Sequence, residues 1–184
     1  MFKWKLDDEI NLCLVHQRFV PRYVQLAAEN KAYLSQWLAW PAVCSTEEDF
    51  RQFVAGSLHK YADGVAMNCA IEYRGEIIGN VGFNSINPTL QVAEIGYWMA
   101  ESCQGKGIMT RCCRHLIDYA FSELAMEKVQ ISAAEDNIPS RAVCERLGMT
   151  LEGIITRKEK VGDRILNHAV YGFYRSQSSS GSLS

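Results

Sequence analysis

Between Gln91 and Leu124 the chain changes from a strand-like pattern to a helical one across a short glycine-containing loop, and that junction restricts the folds open to it. Gln91-Val-Ala-Glu-Ile-Gly-Tyr-Trp-Met-Ala100 reads as a strand. Beyond it, Met109, Cys113, Leu116, Ile117, Ala120, Phe121 and Leu124 recur at helical spacing on one stripe, with Arg111, Arg114, Asp118 and Glu123 mostly opposite. Between the two lies Gln104-Gly-Lys-Gly-Ile-Met-Thr110. A helix starting there leaves about four backbone N–H groups unpaired and carries roughly half a positive charge at its end, which suits an anion. Gly105 and Gly107 let a phosphate approach those groups and permit backbone angles closed to other residues. The plain alternative is a turn that only starts a helix. The P-loop spacing fails here, and Thr110 stands where a dinucleotide loop needs its third glycine.

The run Glu94-Ile-Gly-Tyr-Trp-Met99 followed by Gln104-Gly-Lys-Gly-Ile-Met109 resembles the acyl-CoA-binding motif of the GNAT superfamily of N-acetyltransferases, Gln/Arg-x-x-Gly-x-Gly/Ala. Gln104 and Gly107 match it. Met109 departs from the final Gly/Ala in the way of one branch, the ribosomal-protein serine/alanine N-acetyltransferases. The resemblance spans roughly Ile10 to Tyr174. It implies that acetyl-CoA is the co-substrate, with no metal. The backbone N–H groups of Gly105, Lys106, Gly107, Ile108, Met109 and Thr110 would hold the pyrophosphate, and Trp98 and Met99 would face the pantetheine arm.

Length and composition fit one soluble domain. The 184 residues are 48% hydrophobic and 22% charged, enough to bury a core. A net charge of −2 gives no electrostatic reason to bind nucleic acid. The seven cysteines form no C-x-x-C pair and, with four scattered histidines, no zinc spacing; they read as reduced thiols of a cytoplasmic protein. The first residues turn acidic where a signal peptide turns apolar, and no apolar run is long enough to span a membrane.

The remaining elements follow in order. Ile10–Val15 reads as a first strand; Tyr23, Leu26, Ala27, Leu34, Trp37 and Leu38 as a helix interrupted only by Asn30; Ser45-Thr-Glu-Glu-Asp49 as the start of a helix reaching about Tyr61. Val65–Tyr73 and Glu76–Ile86 form a hairpin around Arg74-Gly75. Lys128–Ala133 is a buried strand, and Asn137 caps a helix with Pro139 in its first turn and Gly148 past its end. Met149–Lys160 and Arg164–Arg175 are two strands around Gly162-Asp163. This order predicts an α/β (α+β) fold, a mixed and mostly antiparallel GNAT-type central sheet with helices on both faces. It forms one domain over residues 1–175, followed by a disordered Ser/Gly tail over 176–184. The aromatic run Trp37-Leu-Ala-Trp-Pro41 reads either as core or as one wall of an acceptor cleft.

Acyl transfer to an amine needs a neutral amine, a donor for the developing oxyanion and a group to steady the leaving thiolate. At pH 7 an α-amine with pKa near ~7.8 is about a tenth neutral, a lysine only about one part in two to three thousand, so a chain N-terminus needs only a modest base. Many GNAT enzymes place a tyrosine in the last helix as thiolate acid. Aligned on Leu147-Gly148-Met149, that position is Cys144 here. The ribosomal-protein branch instead implies a serine one turn earlier and a glutamate on the next strand, which correspond to Ser140 and Glu159. The plain readings are a first-turn capping serine and a solvated charge between Lys158 and Lys160. Glu94 is the competing base, its direction depending on strand register. Asn137 is a candidate cofactor contact as well as a cap. The expected activity is acetylation of a primary amine, foremost the N-terminal α-amine of a ribosomal protein. The alternatives are a small amine acceptor (a polyamine, an amino acid derivative or an antibiotic) or a non-catalytic acyl-CoA sensor. Expected partners are acetyl-CoA and that acceptor, with no nucleic acid and no membrane; a homodimer stays open.

Overall fold

The computed structural model describes residues 2–178. Its strands are β1 (Lys3–Lys5), β2 (Ile10–Leu14), β3 (Met67–Tyr73), β4 (Glu76–Asn87), β5 (Val92–Met99), β6 (Lys128–Ala134), β7 (Thr150–Val161) and β8 (Arg164–Tyr174). They form one sheet in the order β1-β2-β3-β4-β5-β6-β8-β7, antiparallel throughout except where β5 meets β6. The expected mixed, mostly antiparallel sheet is the one observed. The helices are α1 (Val20–Glu29), α2 (Lys31–Leu34), α3 (Glu47–Ala62), α4 (Ile108–Ser122), α5 (Ile138–Arg146) and α6 (Arg175–Ser178).

Strand alternation sends side chains to two cores. On one face, α4 and α5 bury Cys112, Leu116, Val143 and Leu147 against Ile71, Phe83, Ile95 and Ile131. On the other, α1 and α3 bury Tyr23, Leu26, Phe50 and Val54 against Cys13, Ala70 and Ile77. The α3 start is a capping box in which Thr46 Oγ1 accepts the Asp49 N–H at 3.2 Å and Asp49 Oδ2 accepts the Thr46 N–H at 2.9 Å. At the start of α4, Arg111 meets Asp7 at 2.8 Å and Glu9 at 3.1 Å, tying the β1–β2 turn to the helix that follows the glycine loop.

Three features differ from the sequence reading. β1 was not expected, since Lys-Trp-Lys carries no alternation long enough to read. The single helix expected over 23–38 is broken after Glu29. Asn30 caps its end: both its backbone N–H, at 3.0 Å, and its side-chain amide, at 2.9 Å, donate to the Leu26 carbonyl. Its Oδ1 also accepts the Glu101 N–H at 2.9 Å, which anchors the turn before the glycine loop. Finally, β8 runs into the helical turn α6, and the tail expected to be disordered lies outside the described residues from 179 onward. Among the described residues no helix is long and apolar enough to cross a membrane.

Candidate active site

The site begins where two strands part. β5 and β6 pair only from Val92↔Lys128 to Ile95↔Ile131. Beyond that point Gly96–Met99 stays with β4 alone, and 132–134 with β8 alone. The sheet therefore opens into a wedge, with an edge of β5 backbone along one side. A cavity of about 730 Å³ fills the wedge, and each of the thirteen candidate residues borders it.

At one end lies the glycine loop. Gly105 and Gly107 have φ of 73° and 69°, the left-handed region that strains a branched side chain. A Cβ at either would meet no protein atom within 4 Å, so backbone angle rather than crowding calls for glycine there. The first bond of α4 runs from the Arg111 N–H to the Gly107 carbonyl at 3.1 Å, leaving the amides of Ile108, Met109 and Thr110 without a partner in the helix. The side chains of Ile108 and Met109 are buried in the core, so these residues offer the cavity their backbone. Lys106 is exposed, and Arg146 reaches from α5 to Thr110 Oγ1 at 3.3 Å, adding positive charge to the helix end. Gln104 Nε2 donates to the Tyr33 hydroxyl, fixing α2 against the loop. Trp98 borders the cavity, but its indole packs against Tyr23 and Trp40 with ring centroids 5.7 and 5.2 Å away. Met99 packs against the α4 side of the sheet. The aromatic run divides accordingly, Trp37 and Leu38 lining the cavity and Trp40 joining the core.

Ser140 sits in the first turn of α5. The cap is Asn137, whose Oδ1 accepts the Ser140 N–H at 3.2 Å, so the Ser140 hydroxyl is not the cap. That hydroxyl lies 2.9 Å from the Tyr97 phenol oxygen, a partner the sequence reading did not assign. Burial raises the Tyr97 pKa well above the phenolic range and keeps it protonated. One turn on, burial pushes the Cys144 thiol up to about 12, and its Sγ points at the Ser140 carbonyl 3.8 Å away.

Glu159 reaches the cavity through an irregularity in β7. Ile155 pairs with His168 and Glu159 with Leu166, so Thr156, Arg157 and Lys158 face a single residue, Asn167, on β8. Arg157 takes φ 53°, and its N–H donates to Asn167 Oδ1 at 3.0 Å. Two surplus residues shift the pairing by one like-facing position, about 6.6 Å along the strand. Glu159 is thereby brought beside His168, with Oε2 and Nε2 3.2 Å apart, while His168 Nδ1 lies 2.9 Å from Ser132 Oγ. Lys158 also borders the cavity. Glu94 borders it too, at the closed apex where β5 is still paired on both sides, opposite Ser85 and Gln130.

All seven cysteines are free, and among the described residues no group of three His, Cys, Asp or Glu is placed to hold a metal. The histidines read as scattered include His168, which sits in the cavity wall. Tyr97 and Met99 share a strand face, a period-two signal available in the sequence; the Glu159–His168 approach has no such signal, because it depends on the β7 irregularity.

Comparison with known proteins agrees with this geometry. A family model, the acetyltransferase (GNAT) domain, matches residues 15–150. The chain belongs to the GNAT family of acetyltransferases. It is 35% identical over 159 residues to the ribosomal-protein-serine acetyltransferase of Escherichia coli (strain K12), covering 86% of this chain and 89% of that protein. Among solved structures it resembles RimL, a ribosomal L7/L12 alpha-N-protein acetyltransferase in complex with coenzyme A, with TM-score 0.90, 30% identity and coverage of 94% and 98%. It also resembles the microcin C7 self-immunity acetyltransferase MccE in complex with acetyl-CoA and AMP, with TM-score 0.88, 30% identity and coverage of 92% and 94%.

Proposed function

We propose that this chain transfers the acetyl group of acetyl-CoA to the N-terminal α-amine of a ribosomal protein in the cytoplasm. The observation that carries the reading is that one cavity joins the amides of residues 105–110 at one end to Ser140 and Glu159 at the other. The diphosphate binds at the α4 start, and the pantetheine arm runs along the open β5 edge from Met99 toward Gly96, adding a partner to unpaired strand backbone. The acceptor enters past Trp37, Leu38 and Lys158. Glu159 takes one proton from the ammonium, the freed amine attacks the thioester carbon, and the C–S bond breaks as the tetrahedral adduct collapses, its second N–H proton passing to the departing thiolate to give the amide and free thiol. The Ser140 hydroxyl hydrogen-bonds the departing sulfur. It is free to do so when the Tyr97 O–H donates to Ser140 Oγ at 2.9 Å in place of the Ser140 carbonyl at 3.3 Å, which leaves the serine proton for the thiolate. Because a free thiol has pKa near ~8.5, a hydrogen bond there serves where many relatives use a tyrosine acid.

Glu159 is preferred over Glu94 because it lies on the open side of the wedge, whereas Glu94 sits at the paired apex. A small-molecule amine (a polyamine, an amino acid derivative or an antibiotic) is the second reading, for which the half-buried Trp37 in the acceptor wall offers an apolar face. The test compares initial rates on peptides beginning with serine or alanine against free polyamines, amino acid derivatives and amine-bearing antibiotics. Faster turnover of the peptides supports the first reading. Saturating turnover of a free amine with the peptides inert supports the second.

A further inference from the structure

Among the described residues His168 is the one histidine in the wall of the cavity, and nothing in the proposed transfer uses it. It lies on β8 between two polar neighbours, Ser132 on β6 and Glu159 on β7. Its Nε2 is buried and meets no acceptor in hydrogen-bond alignment, yet the Glu159 carboxylate is 3.2 Å away. A buried ring nitrogen left unpaired is costly, and a small rotation of the Glu159 side chain pairs it. The Glu159 carboxylate only accepts, so it selects the tautomer with the ring proton on Nε2, and the Ser132 hydroxyl, which can donate or accept, completes that choice. If the Ser132 O–H donates to Nδ1, the ring proton sits on Nε2 and faces a carboxylate oxygen; the opposite tautomer would set a lone pair against an anion.

We propose that His168 is a positioning residue, a hydrogen-bond donor met on its other ring nitrogen by Ser132, that fixes the Glu159 carboxylate with its free oxygen toward the acceptor amine. The inference rests on the reading of Glu159 as the base. It also gives the β7 irregularity a function: without the surplus residues, Glu159 would fall opposite Arg164, two like-facing positions from His168 instead of one. Half-buried on a strand next to a two-residue hairpin turn, an unanchored glutamate side chain samples several rotamers; anchored by an imidazole, it keeps one.

The experiment measures kcat, acceptor KM and acetyl-CoA Kd for His168→Phe, His168→Gln, Ser132→Ala, Glu159→Gln and the Glu159→Gln/His168→Phe double variant. His168→Phe keeps a ring and loses the donor, and kcat should fall about 10–100-fold with acetyl-CoA Kd unchanged, the range expected when a reacting group is misplaced by about 1 Å. His168→Gln supplies an N–H in place of the imidazole and should recover kcat to within about threefold of the parent; Ser132→Ala should fall between the two. In the Glu159→Gln background, His168→Phe should add no further loss. Equal losses in the Phe and Gln variants, or a full additional loss in the double variant, would overturn the proposal. Should the Phe variant fold poorly, a loss in His168→Gln as large as that in Glu159→Gln overturns it equally. If Glu159→Gln itself keeps turnover within about threefold of the parent, the reading of the base fails, a result distinguishable from failure of the His168 proposal alone.

Discussion

The Tyr97 phenol oxygen lies 2.9 Å from the Ser140 hydroxyl across 43 residues of sequence, joining the β5 edge to the first turn of α5. Because burial holds Tyr97 protonated, the phenol is a donor over the whole working pH range. Tyr97→Phe should therefore lower kcat by about 2–10-fold, the worth of one neutral hydrogen bond, and Ser140→Ala by a similar or larger factor. Combined, the two should cost no more than Ser140→Ala alone. Strictly multiplicative losses would mean that the two residues act separately.

Glu159→Gln should reduce kcat by about 10²–10³-fold, within the range for a proton-transfer group, while Glu94→Gln should stay within about threefold. Steady-state rates on a peptide acceptor decide between them. The reverse ranking would move the base to the apex of the wedge and remove the role given to the β7 irregularity.

What the sequence disclosed was mainly what neighbours along the chain decide. The helix start within Ser45–Asp49, the turn at Arg74-Gly75, the Asn137–Gly148 helix limits and the glycine loop each rest on contacts within a few residues, and each is found where it was expected. The break at Asn30 was visible as a polar interruption, but its consequence was not, because the backbone N–H that Asn30 Oδ1 accepts belongs to Glu101. Arg157 could not be read as a left-handed residue, since arginine has no preference for that region and the Asn167 side chain across the hairpin holds it there. Tyr97 stood inside the motif, yet its partner lies on another element.

His115 packs edge-on to Trp4, with ring centroids 4.1 Å apart. Burial lowers its pKa from the ordinary 6.5, partly opposed by Asp118. Below pH 6.5 the unfolded chain binds a proton that the folded chain resists, so stability is complete above that pH and falls as pH drops toward the folded value. His115→Phe should flatten the decline of Tm on acidification through this window relative to the parent. An unchanged slope would exclude His115 as a contributor.

Five of the seven cysteines, Cys13, Cys69, Cys112, Cys113 and Cys144, are buried, and burial pushes Cys69, Cys112 and Cys144 up to about 12. A chromogenic disulfide reagent at pH 8 should titrate only the half-buried Cys44 and Cys103 readily, and all seven only after denaturation. Rapid reaction of Cys144 in the native protein would contradict its place beneath Ser140.

The decisive measurement is calorimetric titration of acetyl-CoA into the parent and into Gly105→Val/Gly107→Val. Valine at φ near 70° costs about 1–3 kcal/mol per position and withdraws the amides proposed to hold the diphosphate. Binding by the parent, with affinity reduced at least about tenfold in a variant whose circular dichroism is unchanged, is the expected result. Equal affinity in both proteins, or no heat of binding in the parent, would show that the loop from Gly105 to Thr110 does not hold the coenzyme.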